Sequence, residues 1–248
     1  MTPDIALIIP AYCEEKRLPN YLPTLVSALA DAPFQTTILI VDDGSPLDSY
    51  EALNRAISPR QAQNCTLNVP LRLSQNDGKG AAVLAGWAFV SAARWLAFVD
   101  ADGAIPASDV RLLLEKALGG AADRCVIGTR LVNHNVKRTL ARNIIGKLFR
   151  VVTALILARK VQDTQCGLKA IPQAAFADLQ VLMTERGFAF DVNLLLAAEA
   201  VGLKTETLPV AFRDVGGGKI NPVNDGFRML CSVLRLRRAK NRWKKLRT

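Results

Sequence analysis

The feature that most constrains this chain is a series of short, almost wholly apolar stretches, each ending abruptly on residues with turn chemistry. DIALIIP (4–10) closes on Pro10, TTILIV (36–41) on Asp42-Asp43-Gly44-Ser45, and WLAFV (95–99) on Asp100-Ala101-Asp102. Runs of this length, rich in Ile, Leu and Val, read as strands covered on both faces. Helical periodicity fills the intervals. Leu22, Leu25, Val26 and Leu29 recur at helical spacing, 47–57 is helical, and GKGAAVLAGWAFVSAA (78–93) is an Ala-rich helix with Trp87 and Phe89 as core residues. SDVRLLLEKAL (108–118) follows with Ser108 as its N-cap. LNVPLRL (67–73) is a weaker strand because of Pro70, and RCVIGTR (124–130) is another.

Strands alternating with helices predict an α/β domain with a mostly parallel central sheet and helices on both faces. Ligands of such sheets bind outside the carboxyl ends of the strands, so Pro10-Ala11-Tyr12, Asp42-Asp43 and Asp100-Ala101-Asp102 should converge. Past 130 the pattern changes. Residues 140–158 read as helical, DTQCGLKAI (163–171) runs from loop into strand, FDVNLLLAAEAVGL (190–203) is an apolar helix, and KTETLPVAF (204–212) alternates like a strand. There is no internal repeat and no linker, so one domain is expected over 1–223, followed by a basic amphipathic helix over 224–248.

Charge narrows the class of partner. The chain of 248 residues carries a formal net charge of +10, and its last fourteen residues, RLRRAKNRWKKLRT, hold eight Lys or Arg and no acid. That balance points to an anionic partner. Five cysteines without a CxxC pair argue against a disulfide framework or zinc site and for a reducing setting. The single histidine, His134, reads as a loop residue and leaves little room for a histidine-based mechanism. The opening MTPDIALIIPAYCEE meets a proline and acids too soon for a signal peptide. The longest apolar runs, such as VVTALILA (151–158), fall short of the ~20 residues that span a bilayer. The expectation is a cytoplasmic protein that is not secreted, soluble or peripheral on the cytoplasmic face of a membrane.

Two carboxylates at i and i+2 after a buried strand project to the same side and repel unless something cationic lies between them. A hard divalent cation answers that need, since Mg²⁺ takes one or two carboxylates and completes its shell with water and phosphate oxygens. DADG is also ordinary turn chemistry, and DDGS an ordinary Asx turn. The set together is more specific. In order along the chain come IIPAYCEEKRLP (8–19), VDDGS (41–45), NDGKGAA (76–82), VDADG (99–103), GTR (128–130), RNIIGKLFR (142–150), DTQCGLK (163–169) and GFAFDV (187–192). This series, spanning about residues 4–220, resembles the family 2 glycosyltransferases of the Rossmann-like GT-A fold. The resemblance extends in particular to the dolichyl- or polyprenyl-phosphate sugar synthases of the phosphoglucosyl branch.

The resemblance implies an inverting enzyme that moves a glucose-like sugar from a UDP-sugar to a polyprenyl or dolichyl phosphate. Pro10, Ala11, Tyr12, Glu14, Asp42 and Asp43 would hold the nucleoside, Lys79 would approach the donor, and Asp100 and Asp102 would bind Mg²⁺ or Mn²⁺ on the diphosphate. Arg130, Arg138, Arg142, Gln165, Lys169 and Lys219 are the acceptor candidates, arginine suiting phosphate through its planar fork. Asp163, in the signature loop, would orient the acceptor or act as base, and Asp102 would be catalytic as a metal ligand. Asp191 is a second base candidate, although an Asp opening a helix is also ordinary capping. Many family members have membrane anchors; here the basic end, with Phe227, Leu230, Cys231, Leu234, Ala239, Trp243 and Leu246 as its apolar face, would lie on an anionic membrane. Two rivals remain. A soluble family 2 transferase with a hydroxyl acceptor would need a true general base, and a basic nucleic-acid-binding protein would leave the aspartates without a role.

Overall fold

A computed structural model describes residues 2–90, 92–131, 163, 165–187, 189–213, 232, 234–240 and 243 of the protein. The chain begins with β1 (Ile5–Ala11), α1 (Leu18–Ala30), β2 (Thr36–Asp42) and α2 (Leu47–Ala56). Three short strands follow, β3 (Arg60–Ala62), β4 (Cys65–Leu67) and β5 (Leu71–Arg72), then α3 (Lys79–Phe89), β6 (Trp95–Val99), α4 (Ala107–Leu118) and β7 (Arg124–Arg130). The second part supplies β8 (Leu168–Pro172), α5 (Phe176–Leu182), α6 (Phe190–Ala200) and β9 (Lys204–Val210).

The nine strands form one sheet in the order β3-β4-β2-β1-β6-β8-β7-β9, with β5 also beside β2. β1 pairs in parallel with β2, from Ile5 opposite Thr36 to Ala11 opposite Asp42, and with β6, from Ile5 opposite Trp95 to Ile8 opposite Phe98. Their carboxyl ends therefore share one edge, and the three polar segments seen in the sequence meet there. The sheet is mixed rather than simply parallel. β8 runs antiparallel to both β6 and β7, so it starts at that same edge, with Leu168 opposite Val99. The DTQCG segment thereby arrives beside Asp100 from the opposite chain direction.

Three local expectations are corrected. The weak strand over 67–73 is two strands, because Pro70 has no N–H for the ladder; β4 and β5 both pair in parallel with β2, on either side of the break. Ser108 does not cap α4: Pro106 precedes the helix without a side-chain cap, and the Ser108 hydroxyl donates to the neighbouring Asp109. Phe89 is 64 % exposed, whereas Trp87 is fully buried. At 100° per residue the two side chains point to nearly opposite sides of α3.

The core lies in two layers, one on each face. Ile5, Leu7 and Ile9 of β1 join Leu18, Leu22 and Leu25 of α1 and Val110, Leu113 and Leu114 of α4. Ala6 and Ile8 face the other way, toward Ala82, Val83 and Trp87 of α3 and Phe190 and Leu194 of α6. Period-two alternation divides one apolar strand between two helix layers, and each fully buried Leu or Ile stabilises by about 1.5–3 kcal/mol.

Residues 190–198 of α6 are all buried, as an apolar helix without a polar stripe requires. The helical residues 234–240 are tied nearby through Arg235 to Glu185 (3.0 Å) and Lys240 to Glu199 (3.4 Å). This amends the apolar face assigned to the basic end. Ser232 and Leu236 are buried, Ala239 and Trp243 are half-buried, and Leu234 is 51 % exposed. Leu234 thus lies off the stripe that turns inward.

Candidate active site

The cavity on the strand-end edge has a volume of about 470 Å³. Its walls are the loop from Pro10 to Glu14 with Arg17, the Asp43 carboxylate, Asn76, Gly78 and Lys79 at the entry to α3, Asp100 to Asp102 after β6, and Gly187. Every member of the expected donor set except Asp42 is among them.

Asp42 is fully buried and works one layer behind. Its carboxylate accepts from the Ser45 amide (3.1 Å) and the Ser45 hydroxyl, whose oxygen accepts the Cys13 N–H (2.9 Å). This relay ties the loop after β1 to the loop after β2, with Cys13 at φ 54. Asp42 is therefore a loop-holding residue and does not line the cavity. Asp43 does line it, while its oxygens also accept the backbone N–H groups of Asp77 (3.0 Å) and Gly78 (2.8 Å). Burial pushes its pKa up and those two bonds pull it back. Gly78 adopts φ +97, and a Cβ there would stand 2.7 Å from the Arg186 carbonyl oxygen. That turn delivers Lys79 as the first residue of α3.

The Lys79 ammonium contacts Asp100 Oδ1 at 2.6 Å and Asp191 Oδ2 at 3.1 Å, and lies 4.8 Å from the centre of the Phe98 ring. Burial disfavours its charge, but the two carboxylates outweigh that and raise its pKa. Asp100 packs against Gly167, where an added Cβ would fall 1.8 Å from Asp100 Oδ2. The Asp100 amide donates to the Gly167 carbonyl at 2.9 Å. A glycine in DTQCG is thus required sterically by a carboxylate from another strand. Asp102 accepts the Ala104 N–H through Oδ1 (3.0 Å) and lines the cavity. Glu14, also on the lining, is ion-paired with Arg17, and burial raises the Glu14 pKa despite that partner.

Cys13, Arg17, Asn76, Gly78, Ala101 and Gly187 line the cavity and were missed as site residues, although all lie inside the quoted segments IIPAYCEEKRLP, NDGKGAA, VDADG and GFAFDV. What sequence alone lacked was the direction of each side chain.

The acceptor candidates fare differently. Arg130 forms a two-pronged pair with Asp163 (Nε to Oδ2 2.6 Å, Nη2 to Oδ1 2.7 Å), and its amide also donates to Asp163 Oδ2 at 3.1 Å. Burial raises the Asp163 pKa, but Arg130 overrides it and holds the carboxyl below the usual range. Lys169 is corrected: it is 0 % exposed and faces inward, donating to the Cys166 carbonyl (2.7 Å) and to Asp191. Asp191 is likewise buried, its oxygens divided between Lys169 and Lys79, which keep its pKa low against the effect of burial. A carboxylate so held is a weak base. Gln165 is half-buried in the turn before Cys166. Arg138, Arg142, Lys219, His134, Phe227, Leu230, Cys231, Leu246 and the helix expected over 140–158 lie outside the described residues.

Asp100 and Asp102 present two hard oxygen donors on one wall. Among the described residues no three His, Cys, Asp or Glu side chains form a group that could hold a metal by themselves. Two carboxylates nevertheless fit Mg²⁺ or Mn²⁺ at a diphosphate, because phosphate oxygens and water fill the remaining positions.

Comparison with known proteins bears on what occupies such a wall. The family described as "Glycosyl transferase family 2" matches residues 6–180. A dolichyl-phosphate beta-glucosyltransferase of Dictyostelium discoideum is 28% identical over 246 residues, covering 94% of this chain and 73% of that protein. Its counterpart in Drosophila melanogaster is 32% identical over 232 residues, covering 88% and 70%. Among solved structures, glucosyl-3-phosphoglycerate synthase of Mycobacterium tuberculosis with Mn²⁺, UDP-glucose and phosphoglyceric acid aligns with a TM-score of 0.68. It does so at 18% identity, over 95% of this chain and 79% of that one, a likeness of fold.

Proposed function

The chain belongs to glycosyltransferase family 2, and from that premise we propose that it is a metal-assisted, inverting hexosyltransferase moving a glucose-like sugar from a UDP-sugar to a polyprenyl or dolichyl phosphate. The observation that carries the reading is the meeting of Lys79, Asp100 and Asp102 on the cavity wall at the strand-end edge. The names of the curated relatives support the acceptor class.

In this reading the loop from Pro10 to Glu14, with Asp43 and Asn76, receives the uridine. Lys79, at the amino end of α3, meets the diphosphate, where the helix terminus also favours an anion. Asp100 and Asp102 would hold Mg²⁺ or Mn²⁺, which when bound offsets the charge that builds on the departing UDP. An acceptor phosphate oxygen attacks the anomeric carbon from the face opposite UDP; the new C–O bond forms as the bond to the diphosphate breaks, and configuration inverts. That oxygen is already ionised, so no strong base is required. The geometry agrees with this economy, since both base candidates, Asp163 and Asp191, are held by cations. A hydroxyl acceptor would ask one of them to take a proton that it binds poorly.

Arg130 is the acceptor-phosphate ligand in this scheme, with Asp163 keeping its fork oriented and Gln165 nearby. Arg138, Arg142 and Lys219 would add charge. No helix among the described residues is long and apolar enough to cross a membrane. In this reading the basic carboxyl-terminal segment, as a helix over 224–248, would bring the site to the anionic cytoplasmic face as a peripheral contact. Nucleic acid has no part in the reading.

The test is to incubate purified protein with UDP- and GDP-sugars, each with undecaprenyl phosphate, and to follow sugar entering the lipid fraction. UDP-glucose should lead. Transfer only to soluble hydroxyl compounds would overturn the acceptor, and preference for GDP-sugars would overturn the donor.

A further inference from the structure

Lys169 is the only lysine or arginine among the described residues that is wholly inside the protein. An ammonium in such a place is unfavourable unless it is closely paired, and an apolar side chain would fill the same space at less cost. Its partners form a line. Lys169 Nζ reaches Asp191 Oδ1, Asp191 Oδ2 reaches Lys79 Nζ at 3.1 Å, and Lys79 Nζ reaches Asp100 Oδ1 at 2.6 Å. Both ammoniums also approach the Phe98 ring, at 5.4 Å and 4.8 Å from its centre, within cation–π range. Charge alternates along this line from the dry interior to the cavity wall. Lys169, Lys79, Asp191 and Asp100 together sum to zero.

Without Lys169 the remaining three would sum to one negative charge, and Lys79 would be shared by two carboxylates with nothing left over. An anion approaching the wall would then meet net repulsion in a region of low dielectric, where such an imbalance is felt strongly.

We propose that Lys169 is a positioning residue for the donor: it neutralises Asp191 from behind, so that Lys79 stays fixed at the wall and the cluster sets no net negative charge against a nucleotide diphosphate. This rests on the donor site described above. Lys169 itself touches no substrate; it acts through Asp191 and Lys79. The arrangement also accounts for a carboxylate at the buried start of α6, since Asp191 is the link between the two lysines.

The experiment uses the full chain, in EDTA and again with Mn²⁺, and measures UDP binding by calorimetry together with the thermal midpoint, the same order of affinities being expected in whichever condition the wild type binds. Lys169→Met should weaken UDP binding by about tenfold, or about 1.4 kcal/mol. The double variant Lys169→Met/Asp191→Asn restores the charge sum and should return affinity to within about threefold of wild type, a coupling that separate packing effects would not give. If Lys169→Met does not fold, Lys169→Gln, which keeps an N–H for the Cys166 carbonyl, takes its place with the same order expected. Wild-type affinity in the single variant overturns the proposal. So does a folded double variant that binds as weakly as the single one. A wild-type protein that ignores UDP with and without Mn²⁺ would instead remove the donor site on which the proposal stands.

Discussion

On the β1–β2–β6 side of the sheet, Glu14, Asp43, Asp100 and Asp102 stand on a cavity wall; on the β7–β8 side, Asp163 and Asp191 are each closed off by cations. The carboxylates look alike in sequence, each following or preceding an apolar stretch. What separates them is what the opposite chain delivers. Parallel pairing leaves the strand ends of the first side open to the cavity. The antiparallel β8 brings a lysine into the interior, where it must find an acid. The acids of the first side line the cavity, Glu14 and Asp100 keeping Arg17 and Lys79 as partners there, whereas Asp163 and Asp191 are paired away from it.

The largest expected effect breaks that contrast at its open side. Asp100→Asn and Asp102→Asn should each lower turnover roughly a hundredfold or more, because several kcal/mol of charge stabilisation at a diphosphate depends on the cation they would hold. EDTA should do the same reversibly. Full turnover of either variant, or in EDTA, would erase the distinction between the two sides.

Gly167→Ala attacks the seam between them. Its Cβ would fall on the Asp100 carboxylate, so stability should drop by about 1–3 kcal/mol, the usual cost of overpacking, with turnover falling further than the melting temperature suggests. An unchanged protein would mean that Asp100 has another place to go.

On the closed side, Arg130→Ala should raise the acceptor KM or lower kcat by about 1.5–3 kcal/mol, the range for a lost charge-assisted bond, with UDP binding nearly unchanged. Parallel loss of UDP affinity would move Arg130 to the donor. Asp163→Asn adds a pH test. The folded pKa of Asp163 lies below its ordinary value of 3.8, so the pair stabilises fully above that value and ceases to do so as pH falls through the folded one. Melts of wild type and variant should differ near neutrality and converge at strongly acidic pH. A gap independent of pH would contradict the ion pair.

The smallest effect compares adjacent residues. Asp42→Asn should cost about 1 kcal/mol of stability through the Ser45 bonds and leave UDP affinity unaltered, since Asp42 is behind the wall. A selective loss of UDP binding, with stability kept, would return Asp42 to the donor set.

Much of the first half was legible because its signals are local. An apolar run, a turn and an amphipathic helix each occupy a dozen residues, and parallel β-α-β order then forces the ends of β1, β2 and β6 together. The direction of β8 was not legible, since LKAIP reads the same whichever way it runs. Lys169 misled for a related reason. Within CGLKA it resembles a phosphate ligand, and its partner Asp191 lies in another element. A signal did exist: FDVNLLLAAEA is largely apolar, and where the buried Asn193 finds backbone partners, Asp191 in so buried a helix calls for a buried cation. The two loops held by Asp42 illustrate the same limit, for DDGS shows two carboxylates and only the fold reveals that one faces Ser45 and the other the cavity.

The central claim is that the open side is a uridine-diphosphate site completed by a divalent cation. Calorimetric titration of the purified protein with UDP, with and without Mn²⁺, tests it most directly. The account predicts binding that tightens with Mn²⁺, exceeds that of GDP, and loses its Mn²⁺ dependence in Asp102→Asn. Absence of UDP binding, or binding that is equal with and without Mn²⁺ in the wild type, would contradict it.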